Sequence, residues 1–286
     1  MAKTHTAVRD KVVAITGGAR GIGRATGTAF LRAGARVALG DIDVALVEKT
    51  AAELAESTGG AVIGLGLDVT DRAGFATFLD DTSVWLGPLD VLVNNAGIMP
   101  TGLFSDEDDA MTDRMLGVNL VGVLHGSKLA VQRLSGRGGH IINIASLAGT
   151  GAFPGLATYC ATKHAVVGFS ETLHLELADA GIGVTAVLPA IVRTELSAGN
   201  STPDWLRPVA EVDAEEVAAA VVAAVGARRA TVVIPKAMGA MVKAMSLLPA
   251  RARYRIAHAA HLDTVFTTVD PRVRQRYHHR ITEAGR

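Results

Sequence analysis

Three residues have the types and spacing of a proton-transfer device: Ser146, Tyr159 and Lys163. Tyr159 and Lys163 stand four positions apart, which puts a phenol and an ammonium on one face of a helix. A free tyrosine gives up its proton only near pH ~10. A cation beside it favours the phenolate and moves that value toward neutrality. Ser146 lies thirteen residues before Tyr159 and, arriving from a strand end, would donate to the same substrate oxygen. Tyr-x-x-x-Lys alone is a short pattern that any helix can carry, so its meaning rests on the elements around it.

Those elements are legible as an alternation. Apolar runs at 12–16, 36–40, 62–67, 91–93, 140–145 and 184–188 read as buried strands, with 231–234 as a seventh. Their continuous apolar character predicts a parallel sheet covered on both faces. Helix-period segments fall between them at 21–33, 44–57, 72–85, 106–134, 156–180 and 214–225. Repeated strand–helix–strand units with right-handed crossovers predict an α/β fold, a doubly wound, seven-stranded and mostly parallel sheet. It would occupy residues 8–235, and a basic helical extension would occupy 236–286. The stretch 197–204 follows the sixth strand on the side where such sheets bind ligands. It reads either as a lid or as an ordinary surface excursion.

The segment from Thr16 through Gly17 and Gly21 to Gly23 directly follows the first strand and opens the first helix. Glycines there permit a tight turn and a close approach of backbone to phosphate, while the helix N-terminus offers free N–H groups. The spacing, G-x-x-x-G-x-G, departs from the general G-x-G-x-x-G dinucleotide pattern. Asp41 ends the second strand, eighteen residues after Gly23. A carboxylate there accepts from a ribose 2′-hydroxyl and repels a 2′-phosphate, which favours NAD over NADP. Arg20, inside the loop, pulls the other way if its charge is free. Asp43 reads as a helix cap. Asp68 could accept from an adenine amino group or cap the helix entered near Asp71. Asn94 and Asn95 are placed to brace neighbouring backbones.

Composition narrows the function class. Of 286 residues, 49% are apolar and 20% charged, as in a soluble globular protein. The formal net charge is zero, which removes bulk attraction to nucleic acid. Ten Lys and Arg face three Asp and Glu from Lys236 onward, against 18 and 25 before it, so a basic tail follows an acidic body. The single cysteine, Cys160, excludes an intrachain disulfide and a cysteine metal cluster. The histidines are dispersed, and no metal is expected. Cys160 and His164 read as helix packing. Residues 1–6 lack the apolar stretch of a signal peptide, and no apolar run approaches the ~20 residues of a membrane-spanning helix. A cytoplasmic location is the expectation.

Taken together, Thr16-Gly17, Gly21, Gly23, Asp68, Asn94-Asn95-Ala96-Gly97, Asn119, Ser146, Tyr159 and Lys163 resemble the pattern of the short-chain dehydrogenase/reductase family, over roughly residues 8–234. The resemblance implies NAD(P)-dependent alcohol oxidation or carbonyl reduction. Tyr159 would then be the acid–base and Ser146 would polarise the substrate oxygen. Lys163 would lower the tyrosine pKa and bind the nicotinamide ribose. Asn119 would hold a water linking Lys163 to solvent. Cofactor contacts would come from Gly17, Arg20, Gly21, Ile22, Gly23, Asp41, Asp68, Val69, Asn95, Ala96 and Gly97, and from Pro189, Val192 and Thr194 after the sixth strand. The family commonly has Pro-Gly at that strand end, whereas here Pro189 precedes Ala190. Alanine restricts φ where glycine does not, which puts the shape of that loop in question.

The expected substrate pocket comprises Met99, Leu147, Phe153 and Leu156, with Ile98 and Val192. Its apolar character favours a secondary alcohol or ketone that is lipid-, steroid- or terpenoid-like. No dedicated arginine pair for an anionic substrate is visible. A sugar-nucleotide epimerase or dehydratase, and a nucleotide-sensing or scaffold protein on the same fold, are the alternatives. In the tail, Met238, Met241, Val242, Met245, Leu247 and Leu248 read as a flexible apolar segment. A helix is expected from Asp270-Pro271, carrying Arg272, Arg274, Arg276, Tyr277 and Arg280. Three readings compete for the tail: a cap over the substrate, a docking arm for another subunit, and a basic amphipathic helix at a membrane surface. A homodimer or homotetramer, paired through the long fourth and fifth helices, is expected.

Overall fold

Period-two alternation within continuously apolar strands sets up two cores. In β1 (Val12–Thr16), Val13 and Ile15 face one side of the sheet and Val12 and Ala14 the other. The first face packs on Phe30 and Leu31 of the Gly21–Arg32 helix, Val47 and Leu54 of Val44–Thr58, and Val217 and Val221 of Ala214–Ala224. The second packs on Phe75, Phe78 and Leu79 of Arg72–Leu86 and on Leu129 and Leu134 of Gly122–Leu134. Each large apolar side chain buried this way contributes about 1.5–3 kcal/mol. The two sandwiched layers therefore fix which way every strand faces.

The computed structural model describes residues 7–227, 229–260, 262, 264–269 and 271–283. Residues 1–6 and Asp270 lie outside these. The remaining strands are β2 (Arg36–Asp41), β3 (Val62–Gly66), β4 (Val91–Asn94), β5 (Gly139–Ile144), β6 (Ile182–Pro189), β7 (Ile191–Val192), β8 (Glu211–Val212) and β9 (Thr231–Ile234). Seven form one sheet in the order β3-β2-β1-β4-β5-β6-β9, and every adjacent pair is parallel. Val13 pairs with Val37 on one side and with Val91 on the other. The order reverses between β1 and β4, and the connections leaving these two strands diverge to open a crevice at their carboxyl ends. β7 and β8 form a separate two-stranded ribbon beyond β6, which periodicity did not foresee.

Two expectations for local structure are corrected. The single helix expected over 106–134 is a 3₁₀ turn (Phe104–Asp106), a helix (Asp109–Leu116), a π turn (Gly117–Val121) and a second helix (Gly122–Leu134). Asp108 sets the start by accepting from Ala110 N at 3.0 Å. The wide turn carries the fully buried Asn119. The apolar segment after Pro235, which opens the expected helical extension, is helical over Lys236–Ser246, because Met238, Met241, Val242 and Met245 recur at helical spacing and share one apolar face. The sequence-based bounds of the tyrosine-bearing helix also shrink, to Ala157–Glu176.

His140 in β5 shows what these cores cost a polar group. It is 3% exposed and its Nε2 lies 2.9 Å from Thr185 Oγ1. Gly183 makes room for it, since a Cβ there would sit 2.6 Å from the ring Nδ1. Burial, then the nearby charge of His174, lowers its pKa from 6.5 to about 4. Between those values the unfolded chain binds a proton that the folded one refuses, so stability falls as pH drops through that window. A shift of this size corresponds to roughly 3 kcal/mol. We expect His140→Gln to flatten the pH dependence of urea unfolding between pH 6.5 and 4, whatever its effect at neutral pH.

Candidate active site

The glycine-rich turn is shaped by close backbone contacts. Gly17 has φ +64°, and a Cβ on it would lie 2.9 Å from Ala96 Cα. A Cβ on Gly23 would lie 2.1 Å from the Gly17 carbonyl oxygen. Arg20, in extended conformation, precedes the Gly21–Arg32 helix without capping it through its side chain, so the first-turn N–H groups have no side-chain acceptor there. Thr16 Oγ1 accepts from both Asn95 N and Ala96 N at 3.0 Å. Asn95 Nδ2 donates to the carbonyls of Thr16 (2.9 Å) and Gly17 (3.0 Å). Asn94 ties the next layer, donating to Asn143 Oδ1 at 2.8 Å and to Ser127 Oγ at 3.2 Å.

The carboxylates around this turn separate into distinct roles. Asp41 Oδ2 accepts from Ala19 N at 3.1 Å, and its Oδ1 accepts from Asp43 N at 3.2 Å. Asp43 caps Val44–Thr58 through Leu46 N and binds Arg20 at 2.6 Å. Arg20 also lies 3.7 Å from Glu195, which in turn holds Arg280 of the Pro271–Glu283 helix. The Arg280 contact, with that of Arg20, lowers the Glu195 pKa. Asp68 accepts from the backbone and hydroxyl of Thr70. The cap of Arg72–Leu86 is Asp71, so the capping alternative for Asp68 is withdrawn.

The proton-transfer trio converges as its spacing predicts. Ser146, just beyond β5, accepts from Ala148 N at 3.1 Å, which leaves its O–H to donate elsewhere. Tyr159 and Lys163 lie on Ala157–Glu176, with Lys163 Nζ 5.6 Å from the centre of the tyrosine ring. Lys163 donates to the Ile144 carbonyl at 2.8 Å. Burial lowers its pKa to about 8. Burial also raises the Tyr159 pKa well above the ordinary value, against a smaller downward pull from hydrogen bonding to Ser146. The expected shift toward neutrality is therefore reversed, because desolvation of the phenolate outweighs an ammonium whose hydrogen bond goes to a carbonyl. Asn119 Oδ1 accepts from Ile98 N and its Nδ2 donates to Ile98 O, both at 2.8 Å. A Cβ on the neighbouring Gly97 would lie 3.3 Å from Asn119 Oδ1 and 3.7 Å from Lys163 Nζ.

One cavity of about 1680 Å³ joins these parts. Its lining includes Gly17, Arg20, Gly21, Ile22, Asp41, Asp68, Val69, Asn95, Ala96 and Gly97 from the nucleotide expectation, together with Pro189, Val192 and Thr194. Ser146, Tyr159 and Lys163 open onto the same space, as do Met99, Leu147, Phe153 and Leu156. Gly23 and Asn119 do not line it; they act on residues that do. Ala190 is accommodated without a positive φ, and its N–H donates to Ile234 O at 2.8 Å. The loop question raised by the missing glycine thus has a plain answer. The stretch 197–204 contributes Ser197 and Thr202 to the wall and is tied to the tail by Ser201 N, which donates to Val265 O at 3.1 Å. Sequence reasoning gave no role to Glu195 or Phe266, which line the cavity; Met238, Tyr277 and Arg280, named in the tail for which a substrate cap was one of three readings, line it too. The one available clue was a tyrosine amid the arginines of the last helix.

Comparison with known proteins agrees with this geometry. Residues 11–204 match the family model of short chain dehydrogenases. The chain belongs to that family. It is 42% identical over 191 residues to "Probable oxidoreductase EphD" of Mycobacterium tuberculosis, a match covering 66% of this chain and 32% of the relative. The chain thus spans about a third of that longer protein. It is also 42% identical to 2-(S)-hydroxypropyl-CoM dehydrogenase 3 of Xanthobacter autotrophicus, over 65% of this chain and 72% of the relative. A short chain dehydrogenase/reductase from Burkholderia phymatum, crystallised with NAD, superposes with a TM-score of 0.73 at 29% identity, covering 82% of this chain and 92% of that one. The family assignment does not favour the epimerase alternative.

Because the atom nearest a Cβ on Gly23 is a backbone carbonyl oxygen, no side-chain rotation can relieve the overlap. Gly23→Ala is expected to lower stability by about 1–3 kcal/mol through overpacking, read as a reduced urea midpoint.

Proposed function

We propose that the protein is an NAD-dependent oxidoreductase interconverting a secondary, apolar alcohol and its ketone. The observation that carries this is the shared cavity, in which the Ser146 hydroxyl, the Tyr159 phenol and Lys163 stand with the glycine-rich turn. The turn suits a dinucleotide: its glycines admit no Cβ, and it leads into a helix N-terminus without a side-chain cap. Gly17, Gly21 and Ile22 would hold the pyrophosphate, and Asp41 the adenosine ribose. Asn95, Ala96, Gly97, Lys163, Val192 and Thr194 would line the nicotinamide half. When bound, NAD supplies the hydride acceptor or, reduced, the donor.

The chain's own residues account for the proton. Ser146, its oxygen occupied by Ala148 N, donates to the substrate oxygen and holds it against Tyr159. Tyr159 gives its proton to a carbonyl oxygen in reduction and takes the hydroxyl proton in oxidation. Burial holds the phenol protonated at neutral pH, so oxidation draws on Lys163, whose charge favours the phenolate. With a Lys163 pKa of about 8, that charge is present at neutral pH and fades above it. Asn119 fixes the Ile98 backbone beside this pair, and a proton path from Lys163 to solvent through a water held there is part of the proposal.

NAD is preferred to NADP on electrostatic grounds. Each Asp41 oxygen accepts one backbone N–H and keeps capacity for a ribose hydroxyl. A 2′-phosphate would meet its charge. Arg20, which could otherwise have balanced that charge, is engaged by Asp43 and Glu195. The apolar residues Met99, Leu147, Phe153, Leu156, Met238 and Phe266 around the cavity favour an apolar substrate. Among the described residues no helix is long and apolar enough to cross a membrane, and a cytoplasmic location fits the proposed cofactor. Self-association would use the outer faces of Gly122–Leu134 and Ala157–Glu176, where Leu124 and Leu175 are exposed; light scattering that finds only monomer removes it.

A screen for NADH formation across aliphatic, terpenoid, steroid and retinoid alcohols tests the activity. In it, Tyr159→Phe should lower turnover by about 10²-fold or more and leave NADH binding, followed by fluorescence, nearly unchanged; undiminished turnover would remove the mechanism. Asp41→Asn is expected to reduce the NAD/NADP preference in kcat/KM by roughly tenfold or more, the worth of a charged hydrogen bond. An unchanged preference would remove Asp41 as its source.

A further inference from the structure

The two residues Ile98 and Met99 follow the Asn94–Gly97 stretch and enter the cavity wall. All four of their backbone polar groups are held by side chains. Asn119 takes the N–H and the carbonyl of Ile98. The other two partners come from the far end of the sequence: Met99 N donates to Tyr277 Oη at 2.7 Å, and Arg274 Nη2 donates to Met99 O at 2.6 Å. Strand pairing would ordinarily satisfy such groups; here a segment with no neighbouring strand is clamped from both sides.

The far clamp is built at some cost. Arg274 is 2% exposed and its Nη2 also reaches the carbonyl of Leu196 at 3.3 Å. Its Nε and Nη1 are buried without a partner among the described residues. Among the described residues no carboxylate offsets the charge, which rests against the face of Tyr277, 5.2 Å from the ring centre. Arg280 faces the same ring at 5.5 Å. A buried cation with so few partners is destabilising as a packing device. What it achieves is a fixed Met99, whose side chain shares an apolar cluster with Leu156, Phe266 and Tyr159 itself.

We infer that Tyr277 and Arg274 are positioning residues, which set substrate affinity by holding the Ile98–Met99 wall of the pocket against Tyr159. The inference rests on reading the cavity as an alcohol–ketone site. It makes the Pro271–Glu283 helix part of the reaction chamber. It also separates two functions along one segment, with Asn119 tying Ile98 on the cofactor side and the tail tying Met99 on the substrate side.

The test uses the full chain, NAD and 2-decanol as probe alcohol, with amide hydrogen exchange as a readout that needs no substrate. In Tyr277→Phe the Met99 amide loses its acceptor, so its exchange should rise on the order of tenfold while that of Val93 in β4 stays unchanged. KM for 2-decanol should rise by roughly tenfold with kcat changed less than about threefold, the mark of lost binding rather than lost chemistry. NADH affinity should stay within about twofold. Arg274→Lys, which keeps a donor for Met99 O, should stay nearer the wild-type KM than Arg274→Met. Unaltered exchange at Met99 overturns the inference. So does a raised exchange with KM unmoved, which would make the contacts mere docking of the tail. If the wild type oxidises none of the screened alcohols, the proposed activity fails instead, and the exchange measurement alone decides whether Tyr277 holds Met99.

Discussion

The hydroxyl of Thr16 accepts two backbone N–H groups from the chain leaving β4, and the geometry of the cleft is registered on that contact. The connections leaving β1 and β4 diverge where the sheet order reverses, so the two chain segments would part company beyond the last paired residues. Four hydrogen bonds prevent this, all donated by Asn95 and Ala96 and accepted by Thr16 and Gly17 across the gap. The glycine turn hangs from one side of the brace. Gly97, Ile98 and Met99 run from the other. Apolar layers on both faces align the strands, but it is this polar brace that sets how far apart the nucleotide cradle and the pocket wall stand.

Burial governs the chemistry as strongly as contact does. Tyr159 and Lys163 share a dry helix face, and desolvation moves them in opposite senses: the phenol holds its proton more tightly and the ammonium less so. Each shift favours the neutral form. The pair at neutral pH is thus a neutral phenol beside an ammonium that sheds its charge only a little above neutrality. His140 obeys the same rule inside β5. In both places a hydrogen-bond partner keeps the buried polar group, Thr185 for His140 and the Ile144 carbonyl for Lys163, while desolvation still disfavours its charge.

Local pattern revealed most of the sheet and the glycine-rich turn, because both depend on contiguous residues. Continuous Val/Ile/Leu runs marked every strand of the main sheet. The spacing of Gly17, Gly21 and Gly23 marked the turn. Periodicity failed where a side chain bent the backbone to its own needs. Asn119 looked like a polar residue in an unbroken helix, yet it sits in a π turn that delivers its amide to Ile98. Ala190 raised a question about a loop whose backbone makes no demand for glycine. The tail was least legible. Arg274 and Tyr277 belong to an arginine-rich stretch whose composition suits a solvated or membrane-facing helix, and nothing near them announces contacts 175 and 178 residues away.

Those separations bear on the order in which a nascent chain acquires its parts. The brace between Thr16 and Asn95 spans 79 residues, so the nucleotide cradle can assemble early in synthesis. Met99 waits for a hydroxyl that emerges 178 residues later. A ribosome-bound intermediate would possess a finished cradle beside an unfinished pocket. It could hold nucleotide before it could select what reacts with it.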